Sequence, residues 1–270
     1  LVYGRGHSKE GIPLFARKFI PARLTDNPYL MQDGSYETML MSLPEVQRKR
    51  LLEGDWNVAE GAAFSEFSQR EHIVDPIDVP HNWIRIRGCD YGFSSPSCVL
   101  WGAVDWDGCI WIYRELYQTK QTAEALADLI FAMESDDPTM YLSVLDKSCW
   151  NRTGVGKSIA LTMIEKGLRW IPSNSDRMQG KQEVHKRLQL NENNQPRIRI
   201  FNTCTNLIRT LPTLPLSKTN SEDVDTKADD HAYDALRYML MTQQSNRSFI
   251  PSYFRGAQQQ HEIQDSVFGY

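Results

Sequence analysis

Three strand-like runs follow one another between Trp83 and Tyr117, and they constrain the fold more than any other feature of the chain. Trp83-Ile84-Arg85-Ile86-Arg87-Gly88-Cys89-Asp90 alternates in character and ends on an acid, as a strand with two distinct faces does. Ser97 to Val104 and Cys109 to Tyr117 repeat the pattern, joined by Asp105-Trp106-Asp107-Gly108 with Asp-Gly at the tip of a hairpin. A helix from about Thr122 to Ser135 follows, placing Ala123, Leu126, Leu129 and Ile130 on one face. The apolar run Met140 to Asp146 then reads as a central strand, again ending on an acid. Strands interleaved with helices in this way predict an α/β sheet flanked by helices.

Downstream, the pattern predicts a helix over about 155–166, a brief strand over Leu168 to Ile171 and a basic loop entering a helix over Asp176 to Leu188. A strand over Arg197 to Phe201, a short helix from Cys204 to Leu211 and a long final helix complete the set. Residues 1–75 read as a separate, partly helical N-terminal extension: a proline-broken basic stretch, a turn at Asp26-Asn27-Pro28, and helices over Ser35 to Met41 and Pro44 to Leu52. The prolines between Asp75 and Pro80 place a domain boundary, giving a main domain over 76–243 and a Gln- and Ser-rich tail over 244–270. The lack of an initiator Met points to a fragment of a longer protein. No apolar run is long enough to span a bilayer. Five cysteines without a C-x-x-C pair argue against a zinc site or a disulfide framework and for a reducing setting. The net charge of -4 excludes a globally basic nucleic-acid binder, so any DNA contact must be local.

The chemistry concentrates in Asp229-Asp230-His231-Ala232-Tyr233-Asp234, at the entrance of the last helix, whose Ala232, Leu236 and Met239 mark a buried face. Capping alone selects Asp at such a position, and solvated acids are the plain alternative. Asp90 and Asp146 change the weighing, because each ends a strand. If those strands are neighbours, their carboxyl ends lie side by side and the helix can add Asp230, Asp229 and Asp234 to the same crevice. Carboxylates a few ångström apart repel, and divalent cations relieve that repulsion.

Gly88-Cys89-Asp90-Tyr91-Gly92-Phe93, Leu145-Asp146 and Asp229-Asp230-His231-Ala232-Tyr233-Asp234-Ala235-Leu236, in this order, resemble the nuclease domain of the large terminase subunit of tailed bacteriophages. The resemblance covers about Trp83 to Leu240, and the stretch from Arg23 to Trp56 is similar to the passage between the motor and nuclease domains of that family. It implies a ribonuclease-H-like mixed central sheet and a two-metal endonuclease using Mg2+ or Mn2+. By the same resemblance Asp90 would bridge both ions, Asp146 would hold one, and Asp230 helped by Asp229 the other. Asp234 is a weaker candidate, which could instead pair with Arg237, and His231 and Glu115 are supporting candidates whose plain readings are a surface histidine and a surface ion pair. The implied substrate is concatemeric double-stranded viral DNA. The implied partners are the procapsid portal, a small terminase subunit and further copies of the chain, in the host cytoplasm at the assembling procapsid and with no membrane. Another ribonuclease-H-like enzyme, a resolvase or transposase, is the alternative within the fold, and a non-catalytic DNA- or portal-docking module is the alternative of another class.

Asn151-Arg152-Thr153-Gly154-Val155-Gly156-Lys157-Ser158 imitates a phosphate-binding G-x-x-x-x-G-K-[ST] loop but carries Asn151 where the first glycine belongs, so no ATP site is expected in this chain. Arg152 and Lys157 are read instead as phosphate contacts, together with Arg177, Lys181, Lys186 and Arg187 on the basic segment. A polyanion needs positive flanks to approach a cluster of acids. The plain reading of such a run is a solvated helix face.

Overall fold

The structure, a computed structural model, describes residues 27–29, 34–41, 51, 62–138, 140, 142–152, 156–217 and 222–245. It divides into two units, Leu1–Val58 and Ala59–Tyr270. In the first, Ser35–Met41 is helical (α1), as the sequence predicts. The expected helix from Pro44 lies outside the described residues apart from Leu51, and so do the Arg23 to Trp56 stretch apart from residues 27–29, 34–41 and 51 and the tail beyond Ser245.

In the second unit a short helix α2 (Gln69–His72) leads into strand β1 (Ile73–Val74). There follow β2 (Ile84–Asp90), β3 (Ser97–Val104), β4 (Ile110–Gln118), helix α3 (Ala123–Met133) and β5 (Leu142–Leu145). After a 3-10 turn over Lys147–Trp150 come α4 (Ile159–Glu165), β6 (Ile171–Pro172), α5 (Arg177–Leu188), β7 (Ile198–Phe201), α6 (Thr205–Thr210) and α7 (His231–Ser245). Among the described residues the strands form one sheet in the order β1-β7-β4-β3-β2-β5-β6. β2, β3 and β4 are an antiparallel meander, while β5 joins β2 in parallel and β6 joins β5 in parallel. The sheet is therefore mixed, flanked by helices and ribonuclease-H-like.

Alternation along β3 explains the layering. Cys98 and Leu100 face one core with Ile86, Val184 and Leu236, whereas Val99 and Trp101 face the other with Leu126, Ile130 and Met163. Helices α5, α6 and α7 cover the first face and α3 and α4 the second. Helix α7 lies across β2, β3 and β5. It comes that close because β2 offers a glycine there: a Cβ on Gly88 would lie 2.3 Å from the Ala235 carbonyl oxygen. Gly180 does the same for α5, since a Cβ there would lie 2.4 Å from Cγ of Arg237.

The domain boundary differs from the expected one. Phe64 and Phe67 are 1% exposed in the first core, Ala63 N–H donates to the Leu214 carbonyl at 2.7 Å, and β1 pairs with β7. Residues 62–75 thus belong to the sheet domain. A strand of two residues is too short to produce the alternation by which strands are read.

Candidate active site

Asp90 is the last residue of β2, and the Asp146 N–H donates to the Cys89 carbonyl at 3.0 Å, continuing the parallel ladder of β2 and β5. The two acids therefore stand at adjacent strand ends. Asp146 caps the 3-10 turn behind it, its carboxylate accepting from Ser148 N–H at 3.1 Å and Ser148 Oγ at 2.5 Å. Asp230 precedes α7 and its carbonyl accepts from Asp234 N–H at 2.8 Å, which puts both acids on the first turn of that helix.

His231 ties the helix to the strand, with Nδ1 2.9 Å from Asp90 Oδ2. Arg177, the first residue of α5, reaches into the same group. Its Nε donates to Asp223 Oδ2 at 2.9 Å, Nη1 lies 3.5 Å from Asp234 Oδ2, and Nη2 lies 3.7 Å from Asp230 Oδ2. Arg237 completes the arrangement at 3.0 Å from Asp234 Oδ1, the i+3 pair that the sequence offered.

The electrostatics follow from this crowding. Burial pushes the Asp90 carboxyl up, and Asp234 and Asp146 push it the same way against the hydrogen bond from His231. Burial, followed by the Asp234 charge, raises Asp230 to about 7 despite Arg177. His231 is raised by its hydrogen bond to Asp90. Arg177 Nη2 is buried without a hydrogen-bond partner, although it faces an acid.

The remaining candidates separate. Asp229 turns away from this group: Tyr117 Oη and Arg209 Nη2, the latter at 2.8 Å from Oδ2, hold it below the usual carboxylate range in spite of its partial burial. Glu115 does not face the acids either. Its Oε1 accepts from Asn206 N–H and Nδ2, and its Oε2 from Leu207 N–H at 2.7 Å, so it satisfies the first turn of α6. Lys181 and Arg187 correct the reading of a basic outer face. Lys181 is 9% exposed and donates to the Glu222 carbonyl, while Arg187 is 3% exposed and pairs with Glu183 at 3.0 Å. Helix α5 turns that side inward because Val184 and Leu188 share it. Arg152 and Lys186 are exposed, and Lys157 is exposed but paired with Glu165 at 2.6 Å. Ser158 caps α4 by accepting from Leu161 N–H, so the described part of the phosphate-loop imitation ends in an ordinary helix cap. Among the described residues no three His, Cys, Asp or Glu side chains converge closely enough to form a finished metal shell.

No family model matches the sequence, and no curated protein matches it either. Solved structures do. The P22 large terminase nuclease domain is similar over 69% of this chain and 94% of that one, with 18% identity and a TM-score of 0.55.

The fold is that of a large-terminase nuclease domain.

A large terminase from a thermophilic bacteriophage, in complex with ATP-gamma-S, aligns over 81% of this chain at 20% identity and a TM-score of 0.57. The chain covers 54% of that structure, so it spans about half of that terminase. The large terminase nuclease of the thermophilic phage G20c with bound cobalt aligns over 67% of this chain and 97% of that one, at 14% identity and a TM-score of 0.50. Arg177, read from the sequence as a phosphate contact, lies instead against Asp223, Asp230 and Asp234, and Arg209, which sequence reading missed, is a partner of Asp229. Only the packing of α5 and α6 brings them in, though an Arg at the start of a capped helix was a visible signal.

Proposed function

We propose that this chain is a metal-dependent endonuclease that cuts double-stranded viral DNA during genome packaging, as the nuclease part of a terminase large subunit. The observation that carries the reading is the meeting of two adjacent strand ends with one helix entrance, where Asp90, Asp146, Asp230 and Asp234 gather and His231 contacts Asp90 at 2.9 Å. The donors fit the group that this chemistry needs. Carboxylate oxygens suit a hard divalent ion, and burial, joined by the charge of neighbouring acids, pushes both Asp90 and Asp230 up. Asp90, Asp146 and Asp230 would hold Mg2+ or Mn2+, with Asp234 behind them, while Asp229 stays with Tyr117 and Arg209 outside the set. Bound there, such ions activate water and stabilise a leaving oxygen.

The protein side chains do the rest. Arg177 and Arg237 fix Asp234 and hold the first turn of α7 against α5. His231 orients Asp90 and can accept a proton at the edge of the site. Of the cations expected from the sequence, exposed Arg152 and Lys186 would meet phosphates. The cobalt in the G20c nuclease supports divalent-ion binding at this fold. Procapsid portal, small terminase subunit and additional copies of the chain are the partners this reading expects, in the host cytoplasm at the procapsid.

One observation favours a docking module without catalysis: His231 and Arg177 already contact three of the four acids. Conversion of supercoiled plasmid to nicked and linear forms in Mg2+ or Mn2+ separates the two. The parent cuts, and Asp90→Asn, Asp146→Asn and Asp230→Asn each lose on the order of 10³-fold in rate. Cutting by Asp90→Asn at the parent rate would sink the nuclease reading.

A further inference from the structure

The sheet end that carries Asp90 carries another feature that the acids do not use. β4 runs antiparallel to β3, and β3 antiparallel to β2, so the exit of β4 lies at the same end as Asp90. The register shows it, with Asp90 opposite Cys98 and Ser97 opposite Gln118. Two connections therefore stand beside the acids, the loop 91–96 and the turn 119–122.

They are stitched to one another. Lys120 N–H donates to the Phe93 carbonyl at 2.8 Å, and Tyr91 Oη donates to the Gln121 carbonyl at 3.0 Å. Buried Ser97 accepts from Gly92 N–H at 3.1 Å and donates to the Gly92 carbonyl at 2.7 Å. Gly92 leaves no slack, because a Cβ there would lie 2.7 Å from the Ser95 carbonyl oxygen. Lys120 takes a φ of 61°, a conformation that few L-residues adopt and that the surrounding hydrogen bonds hold in place.

This rigid pair of connections displays two side chains. Phe93 is 52% exposed, and Lys120 is exposed with no carboxylate paired to it among the described residues. A lone exposed phenylalanine is ordinary on a protein surface. An aromatic ring held on a fixed loop three residues from a candidate catalytic acid, beside an exposed ammonium group, is the pairing that a nucleic acid recognises: a planar apolar face for a base and a cation for its phosphate.

We propose that Phe93 and Lys120 form a DNA-opening contact, in which Phe93 wedges against a base step next to the scissile phosphate and Lys120 holds the flanking backbone. The inference rests on the nuclease reading and adds how duplex is presented to the acids. Inserting the ring unstacks one step and kinks the duplex, which brings a backbone phosphate down toward Asp90. Arg152 and Lys186 would then serve general attraction, and Phe93 local distortion.

The test uses the full chain carrying Asp90→Asn, so that bound DNA is not cut, in Mg2+ with a short fluorescein-labelled duplex. Anisotropy gives affinity, and permanganate reactivity reports unstacked thymines. Phe93→Ala is expected to bind roughly tenfold more weakly and to lose permanganate reactivity, with Phe93→Trp restoring both. Lys120→Gln is expected to lower the salt slope of binding by about one, which Phe93→Ala leaves unchanged. Both side chains are exposed, so the variants should melt at the parent temperature. Parent affinity and an unchanged permanganate pattern in Phe93→Ala would overturn the proposal while leaving the nuclease reading intact. Absence of duplex binding by the Asp90→Asn protein itself would overturn both.

Discussion

Two of the three buried charged residues of strand β2, Arg87 and Asp90, stand three positions apart, and the protein treats them in opposite ways. Arg87, 1% exposed, meets Glu134 in an ion pair, donates to Ser143 Oγ at 3.2 Å and stacks over Trp170 at 4.2 Å. Glu134 accepts from Trp101 Nε1 as well, at 2.5 Å. Asp90, on the other face, is surrounded by acids of its own sign and eased by one histidine. A charge that meets an opposite charge, a hydroxyl and an aromatic face, as Arg87 does with all but its Nε, holds a structure together. A charge that is buried among like charges is costly to keep, and such groups concentrate where chemistry is done. The contrast separates the two faces of one sheet: the α3 side of β2 is a scaffold and the α7 side a site.

Breaking the scaffold charge should cost the most in stability. Arg87→Met leaves the partly buried Glu134 with Trp101 but without its cation, and chemical denaturation is expected to show a loss of about 3 kcal/mol. Removing both charges, in Arg87→Met with Glu134→Leu, should recover much of that loss. If the single variant is as stable as the parent, Arg87 is not a compensated structural charge.

Gly88→Ala attacks the boundary between the faces. The added methyl meets the backbone of α7, so a destabilisation of about 1–3 kcal/mol is expected, as for other overpacked cores. Plasmid cutting should fall as well, because α7 carries Asp230 and Asp234. A variant that keeps both stability and cutting would show that the helix has room to shift.

A pH titration in EDTA sharpens the contrast on the site side. Asp230 rises from 3.8 in the unfolded chain to about 7 in the fold, so between those values the folded state holds a proton that the unfolded state releases, and stability falls as pH rises through that window. Asp90 is raised too and acts with the same sign. His231, raised above 6.5, stabilises fully below that pH and loses its contribution as pH climbs further. Asp230→Asn should flatten the acid part of this decline and melt higher than the parent at about pH 8, above the range in which the parent carboxyl ionises. A melting temperature that rises from about pH 4 to about pH 7 in EDTA would contradict the crowding of acids.

The smallest effect belongs to the basic residues. Lys186→Gln and Arg152→Gln should each lower the salt slope of DNA binding by about one at unchanged stability. Lys181→Gln should leave the slope alone and cost about 1 kcal/mol, because its ammonium holds a carbonyl inside the domain.

Asp90 and Asp146 were legible because each closes an apolar run, and strand ends are where alternation stops. Asp230 and Asp234 were legible from helical spacing. The inward turn of Lys181 and Arg187 was not, since positively charged residues near helical spacing mark one side of a helix without saying which side faces the core. Glu183, placed four residues before Arg187, was the available hint. Asp229 and Asp230 could not be told apart by sequence, because the distinction depends on Tyr117 and Arg209, which approach from β4 and α6. β1, of two residues, falls below any periodic signal, whereas β6 (Ile171–Pro172) overlaps only the end of the strand expected over Leu168 to Ile171.

His231 and Asp90, which touch at 2.9 Å, are separated by 141 positions along the chain. At a synthesis rate of about 5–20 residues per second, roughly 7–30 s elapse on the ribosome between the making of the first acid and the arrival of the helix that completes its surroundings. The meander, α3 and β5 emerge and can form in that interval, with the Gly88 face of the sheet still bare. The surroundings of Asp90 are thus completed from a distant part of the sequence, by the last helix described, and not by the strands among which Asp90 itself is made.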